Sequence, residues 1–594
     1  MNRLNGLAAR CLIALCMWNV QGVELPSSGV DVLPPAPLTT LKQKTEGKYG
    51  TVARYTPTNG PFRDVVQVAV TTLPANDWDL QFQFATSVPI DKNDVLLLRF
   101  FARTCSTRNE RGNSRVRAIF EERKAPHTKS LSQEFEITRE WQEYYVPFVA
   151  EAHYPAGAAS AGFHLGLDIQ TVEFADFHVL SFGKKVTVNQ LPRMRITYPG
   201  IEPDAQWRKD ALQRIETLRK KELVVHVVDA QGKSVSNAIV MVRQTRQAFG
   251  WGSAVTAANI LRKDSTGERY REIITNCFSR VVFENDLKWS NWENAQRQQA
   301  ILDAANWLKL NKIELRGHCL VWPSWRNTPK ELKTLAASPA ALRTRIQSHI
   351  TNEVQALRGL VVDWDVVNEP YDNTDLLKLL GNDEMVTWFK LAHQYDPQAN
   401  LYLNDYAILS ACGLDTAHQA HFETTLRYLI DKGAPIQGLG MQSHFGTTPT
   451  PPERILAILD RFAKLGLKIS ITEHDIDTLD EQFQAEFTRD FLIAVYSHPA
   501  VVAVLTWGFW EEAHWRPNAA YYRSDWSLRP AGEVWLEWVT RKWKTQEKGR
   551  TRSDGTFTVR GFEGDYEIIV QTPHHALKHY LRLVKPERLR IQLD

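Results

Sequence analysis

The chain has 594 residues, too many for one ordinary domain and enough for two to four units on the usual size scaling. Its 43% hydrophobic, 23% charged and 10% aromatic composition is that of a globular protein and excludes disorder across the whole length. Lysine and arginine number 71 against 68 for aspartate and glutamate, a formal charge of +3. This leaves no electrostatic footprint for nucleic acid or anionic membranes, so an uncharged partner is expected. The nineteen tryptophans suit either stacking on sugar rings or filling large cores, and composition does not separate the two.

In chain order, Arg3 and Arg10 precede and flank an apolar stretch from Cys11 to Val20, and Val20-Gln21-Gly22 offers small residues for cleavage. Residues 1–22 therefore read as a secretory signal peptide, predicting a protein secreted to the periplasm or the exterior. A permanent span needs roughly 20 apolar residues, which neither this stretch nor any later one supplies. Cys105, Cys277, Cys319 and Cys412 are scattered without metal-ligand spacing and read as mostly buried thiols.

Residues 23–44, Pro-rich from Val32 to Pro37, read as a linker. Residues 45–190 then show period-two patterning in Val66 to Val70, Leu80 to Phe84, Val95 to Phe100, Arg115 to Phe120 and Val172 to Leu180, with a turn over Asn109 to Asn113. Strands without intervening helices predict an antiparallel β-sandwich of jelly-roll type. Trp78, Trp141, Tyr144, Tyr145 and Tyr154 are its candidates for stacking on a polysaccharide, although an aromatic on a strand is more often core.

Over residues 204–221 the period changes: Trp207, Ala211, Leu212, Ile215 and Leu218 share a helical face, with Asp204 placed to cap the start. Residues 222–247 return to β patterning. From 248 to 545, short apolar runs alternate with helical segments, one of them opened by a capping box at Ser265 and Glu268. The runs are Trp251 to Val255, Ser279 to Phe283, Ile313 to Leu320, Val361 to Val367, Leu401 to Leu403, Ile436 to Met441, Lys468 to Ile471 and Val501 to Leu505. Eightfold strand–helix alternation predicts a (β/α)8 TIM barrel. The tail, 549–594, is again β-patterned and too small to be stable alone.

A barrel of this kind carries its chemistry at the C-terminal ends of its strands. Those ends present Glu284, Asn285 and Lys288; His318 and Trp322; Asn368 and Glu369; Asn404 and Tyr406; Gln442 and His444; Glu473 and Asp475; and Trp507. Singly each has an ordinary structural explanation, but a mouth ringed by polar groups and indoles does not. Two carboxylates on opposed strands suit glycoside hydrolysis, where one protonates the departing oxygen and the other attacks the anomeric carbon or activates water.

The segments GHCLVW (Gly317 to Trp322), DWDVVNEP (Asp363 to Pro370), LYLNDY (Leu401 to Tyr406), GMQSH (Gly440 to His444), ITEHD (Ile471 to Asp475) and LTWGFWEEAHWRP (Leu505 to Pro517) resemble the ordered signature of glycoside hydrolase family 10, the retaining endo-β-1,4-xylanases. The resemblance runs from about Trp207 to Trp543. It implies Glu369 as general acid/base and Glu473 as nucleophile, with carboxylates roughly 5 to 5.5 Å apart and no metal or organic cofactor. It further implies that Asn368 binds the sugar 2-hydroxyl and that His444, oriented by Asp475, donates to Glu473. Glu284, Asn285, Lys288, His318, Trp322, Asn404, Tyr406 and Gln442 would bind substrate, with Trp507 and Trp515 walling the distorted sugar. Two departures stand out: Pro323 where the family commonly has histidine, and His474 where an apolar residue is more usual.

The N-terminal sandwich resembles the carbohydrate-binding modules that accompany such enzymes. The tail and the segment Leu223 to Val242 each resemble half of a transthyretin-like sandwich, which predicts one small split sandwich, 222–247 plus 549–594, with the barrel inserted between its halves. The expected activity is hydrolysis of internal β-1,4-xylosidic bonds. A β-1,4-glucanase or cellulase on a related barrel is the alternative, because the Asn-Glu-Pro element is shared. Oligomeric state is not legible.

Overall fold

The computed structural model describes residues 25–26, 29–58, 62–109, 111–194, 196–573 and 576–593; the leader read over residues 1–22 lies outside the described residues. Eight parallel strands form the centre: Gly250–Val255, Arg280–Phe283, Glu314–Val321, Val361–Asn368, Asn400–Asp405, Gly438–Met441, Lys468–Ile476 and Val501–Thr506. They pair in chain order, and the eighth closes on the first with Gly250 opposite Ala503. Helices such as Ala295–Leu310, Pro339–Ala356, Thr416–Asp431 and Glu481–Tyr496 lie between them. The outer layer is apolar, with Trp364, Val366, Phe389, Leu426 and Phe491 essentially inaccessible.

The inward face is charged. Alternation along the strands aims Arg316 and His318 to one side of the third and Asp363 and Asp365 to the same side of the fourth. Arg316 reaches Asp365 through both Nε, at 3.2 Å, and Nη2, and its guanidinium lies 4.4 Å from the Tyr402 ring centroid. Arg280 spans Glu314, at 2.6 Å, and Asp363.

N-terminal to the barrel, two antiparallel sheets face each other. The larger contains Val65–Val70, Val95–Thr107, Gln142–Val149 and Gln170–Ser181; the smaller runs Gln81–Ala85, Ala159–His164, Ser114–Glu122, Lys129–Ile137. Phe82, Phe100, Phe120, Phe163 and Phe174 fill the space between them. From Val30 on, the stretch expected as a linker is part of this body. Val30–Asp31 pairs with Leu180 and Ser181, Val32, Leu33 and Leu38 are buried in the sandwich core, and Lys44–Gly47 pairs with Gly50–Tyr55. The apolar residues flanking the prolines are what pack.

The helix expected over 204–221 is Gln206–Leu218, and the chain is already a strand at Lys220. Asp204 does not cap it; the N-cap is Ala205, which offers no side-chain acceptor. The start is set instead by Arg208, which reaches back to the carbonyls of Glu202 at 2.6 Å and Pro203 at 3.1 Å while forking onto Asp490. In the helix Ser265–Cys277, the cap is Asp264, accepting from Gly267 N at 3.0 Å, rather than Ser265. The carboxylate one residue earlier is the stronger acceptor for the orphan amides. Cys319 and Cys412 are buried, whereas Cys105 is exposed and Cys277 half-buried.

At the N-terminal end of the barrel strands, Lys220–Val228 pairs with Thr556–Phe562 and, in parallel, with Glu587–Gln592; Ile239–Gln247 pairs with Gln546–Arg550 and Gly564–Gln571. Val225, Val240, Val242, Ile568, Val570 and Ile591 form their common core. Neither half has a second face to bury without the other. Arg219 then ties the unit to the barrel, donating to the carbonyls of Tyr496, His498 and Val501 at 2.9, 2.7 and 2.9 Å. Trp251 stacks on Trp543 at 5.4 Å.

Deleting residues 546–593 is therefore expected to expose Val225, Val240 and Val242 and to lower the barrel's melting temperature in a thermal scan. An unchanged transition would show that the two bodies are independent.

Candidate active site

The fourth and seventh strands deliver the two glutamates. Glu369 follows the fourth strand in a left-handed conformation, φ 53°, a strain of about 1–3 kcal/mol for a non-glycine residue that needs local support. Its N–H donates to Asn404 O at 2.9 Å, and its carbonyl accepts from Asn373 Nδ2 at 3.0 Å. Its carboxylate accepts from Gln442 Nε2 at 2.7 Å and is 6% exposed.

Glu473 lies within the seventh strand and is 4% exposed. Its Oε1 accepts from Asn404 Nδ2 at 2.8 Å, and its Oε2 lies 3.3 Å from His444 Nε2. His444 Nδ1 is 3.0 Å from Asp475 Oδ1, and Asp475 Oδ2 accepts from Trp515 Nε1 at 2.6 Å. Burial alone would push the His444 imidazole down; the negative charges of Asp475 and Glu473 outweigh it and raise the imidazole to about 10. Burial likewise opposes charge on Asp475, yet His444 holds that carboxyl down at about 2. A cationic imidazole thus stands between two carboxylates.

Asn368 is fully buried and accepts from Asn404 Nδ2 at 2.8 Å through Oδ1, while its own Nδ2 has no partner among the described residues. An amide donor left open in a polar cleft is what a substrate hydroxyl would take. Asn404 differs from its expected role as a sugar contact. Its two N–H groups go to Asn368 and Glu473 and its Oδ1 accepts from Thr472 Oγ1 at 2.7 Å, so it acts through its neighbours. A Cβ at Gly440 would come within 2.2 Å of that Oδ1, which explains the glycine opposite it. Tyr406 is also committed: it is buried against the His418 ring at 4.5 Å, and its hydroxyl is bonded to Asp372 in the loop that carries Glu369.

The remaining residues line the mouth. Lys288 Nζ donates to Asn285 Oδ1 at 2.8 Å and sits 5.5 Å over the Trp322 ring. Glu284 is half-buried beside them, and burial holds its carboxyl above the ordinary value. His318 lies 3.0 Å from Asp365 through Nδ1 and meets Trp507 edge-on at 5.2 Å. Trp515 covers His444 at 4.7 Å. Gln442 Oε1 and Trp322 Nε1 are buried without partners among the described residues.

His474 points away from the cleft: its ring stacks on Phe491 of an outer helix at 4.2 Å, and burial lowers it to about 4. Pro323 is buried, its carbonyl accepting from Leu376 N at 3.1 Å. Among the described residues, no three of His, Cys, Asp and Glu are arranged to hold a metal. Of the sandwich aromatics, Tyr144, Tyr145 and Tyr154 are buried. Trp78 is exposed, and Trp141 is half-buried with Arg103 5.0 Å from its ring. Sequence reasoning passed over Asp365, Asn373 and Thr472; the period-two pairing of Asp363 with Asp365 against Arg316 with His318 was the available signal for the first.

Two buried glutamates at the mouth of a parallel barrel, held by amide and imidazole donors and walled by indoles, define the class of barrel glycoside hydrolases. The profile of glycosyl hydrolase family 10 matches residues 241–533. The chain is 31% identical over 382 residues to the anti-sigma-I factor RsgI6 of Acetivibrio thermocellus, covering 63% of this chain and 48% of that protein. It is 30% identical over 377 residues to endo-1,4-beta-xylanase 1 of Arabidopsis thaliana, covering 63% and 39%. With endo-1,4-beta-xylanase B of Paenibacillus barcinonensis it shares 30% identity over 228 residues, 36% of this chain and 67% of that one. The chain belongs to glycosyl hydrolase family 10. It spans less than half the length of the first two of these relatives.

Asn404→Ala should cut kcat by about 10- to 100-fold, the value of a hydrogen bond to a buried charge, and leave KM little changed because Asn404 keeps no atom for substrate. A rise in KM alone would return it to the substrate contacts. Stability should peak near pH 6.5. The stabilisation from His444, whose folded value of about 10 exceeds the ordinary 6.5, is complete below 6.5 and is lost as pH rises through about 10. His474 and His514, both lowered to about 4 by burial, destabilise the fold as pH falls from 6.5 to about 4. Melting temperatures of wild type and His474→Phe across this range test it: the substitution should flatten the acid side only.

Proposed function

We propose that the chain is an endo-β-1,4-xylanase that hydrolyses internal xylosidic bonds by double displacement with retention. Glu369 is the general acid/base and Glu473 the nucleophile. The observation that carries this reading is the way the Glu473 carboxylate is held. Glu473 is fixed at both oxygens, by the Asn404 amide and by an imidazole that is cationic at neutral pH, as suits a group that must stay anionic and aimed. Glu369 accepts from two carboxamides, Gln442 Nε2 at 2.7 Å and Asn373 Nδ2 at 3.4 Å, and its role is to give a proton to the leaving oxygen and then take one from water. The open Asn368 Nδ2 would hold the sugar 2-hydroxyl, and Trp507 and Trp515 would wall the ring. Membership of the family and the xylanase names of two relatives support xylan as substrate.

Export follows from the leader-like residues 1–22 as part of this reading. The N-terminal sandwich would hold polymer on the outer face of its larger sheet. There Tyr55 Oη, Gln67 Nε2 and Arg103 Nε all converge on Glu173, at 2.5, 2.9 and 2.7 Å, beside Trp141.

Reducing sugar should be released from glucuronoxylan and arabinoxylan but not from carboxymethylcellulose; the reverse preference would make the chain a glucanase. Glu473→Ala should be inactive on xylan and, with azide and an aryl xylobioside, should yield a glycosyl azide of inverted configuration. Glu369→Ala should lose xylan hydrolysis yet keep its first step on substrates with good leaving groups. If azide rescues the Glu369 variant with inversion instead, the roles are exchanged. Trp141→Ala should reduce retention on insoluble xylan without changing turnover of the soluble glycoside.

A further inference from the structure

Residues 111–113 of the predicted turn are not a solvated connection. Arg111 and Asn113 are 6% and 1% exposed, and they are buried against the mouth of the barrel. Arg111 forks, donating through Nη1 to Glu136 of the same sandwich at 2.5 Å and through Nη2 to Asp477 of the barrel. Asp477 is two residues beyond Asp475, and its N–H donates to Phe445 O at 3.0 Å. Glu136, 7% exposed, accepts from Thr447 N at 2.8 Å through its other oxygen. A Cβ on Gly446 would come within 2.2 Å of the Glu136 carboxylate. Asn113 bonds Thr448, and Arg139 pairs at 2.5 Å with Asp415, whose other oxygen caps the helix Thr416–Asp431 at His418 N.

These contacts grip the two segments that carry the nucleophile's support. His444 and Phe445 pair with Asp475 and Ile476 over only two residues, too short a ladder to hold its own register. The arginine–glutamate bridge clasps both segments just beyond that ladder. A module on a flexible tether would raise local substrate concentration and would meet the barrel through hydrated surface. A buried charge bridge is different: its desolvation is offset only while every partner is in place, and removing one leaves the others uncompensated.

We propose that Arg111 and Glu136 of the N-terminal sandwich are positioning residues for His444 and Glu473, which makes the sandwich a fixed wall of the catalytic cleft. The proposal deepens the hydrolase reading and rests on it for its kinetic test. Its consequence is that breaking the bridge changes turnover even on a substrate too short to touch the sandwich.

The test uses the full-length chain and 4-nitrophenyl β-xylobioside, with Arg111→Ala, Arg111→Lys and, as a control, Arg115→Ala. The control breaks a pair with Asp168, at 2.7 Å, that lies wholly within the sandwich. Both Arg111 variants should lose kcat by about tenfold or more, the scale of one charge-assisted hydrogen bond, with KM little changed and the control unaffected. Lysine keeps the buried charge but cannot span two carboxylates, so it carries the test if the alanine variant does not fold. A second readout is independent of turnover: the imidazole of His444, followed by NMR of labelled histidine. It faces Glu473 and Asp475, the neutral rings of His474 and His514, and the indoles of Trp507 and Trp515. Its titration, at about 10 in the wild type, should move down in the Arg111 variants. Folded Arg111 variants with wild-type kcat and an unmoved His444 titration overturn the proposal. If the wild type fails to cleave xylan or its aryl glycoside, the hydrolase reading falls, and the His444 titration alone decides the clamp.

Discussion

A charge removed from water must find a partner, and in this barrel the partners are buried or half-buried themselves. From floor to mouth the interior is one run of such pairs: Glu314 with Arg280, Arg280 with Asp363, Arg316 with Asp365, Asp365 with His318. Nearer the mouth, Asn404 joins Asn368 to Glu473, and His444 joins Glu473 to Asp475. Desolvation of each ion is offset only while the next one holds its place. The same condition that keeps the lumen intact therefore keeps the glutamates aimed, and the site is the upper end of the barrel's interior rather than an addition to its rim.

The two accessory bodies act on opposite ends of this column. The split sandwich closes on the N-terminal ends of the strands, where Gln247 donates to the carbonyls of Val539 and Trp543 at 3.0 and 2.6 Å and Arg246 pairs with Glu314. These contacts lie at the strand starts, so its influence is on stability. The N-terminal sandwich meets the other end, beside the segments that carry His444 and Asp475, so it bears on the chemistry. At this second contact the planar guanidinium of Arg111 satisfies two acceptors from different chain segments at once, Glu136 and Asp477.

The tryptophans divide in the same way. Trp251, Trp364, Trp388 and Trp535 are among the largest fully buried side chains and fill the layer between strands and helices. Trp322, Trp507 and Trp515 stand around the polar mouth, where indole supplies a flat apolar wall and a single donor. Composition could count them but not sort them, since sorting depends on which strand end or helix face each one occupies.

What the chain's own order of residues settles is local. Strand and helix periods show where the barrel strands run. Asn368 and Glu369, and Glu473 and Asp475, stand at their ends, where alternate residues of a strand project into the mouth wherever the fold closes. Such features need only a few consecutive side chains, and they are legible without coordinates. The extent of the N-terminal sandwich was less so, because Val32, Leu33 and Leu38 enter its core around a cluster of prolines without strand alternation. The partners were not legible at all. Asn404 looked like a sugar contact until its amide was seen to be spent on Asn368 and Glu473, and nothing near Arg111 in sequence points to Asp477, 366 positions away. Period shows which face a residue takes; which distant group waits on that face is decided only when closure of the barrel brings separate strands within hydrogen-bonding reach.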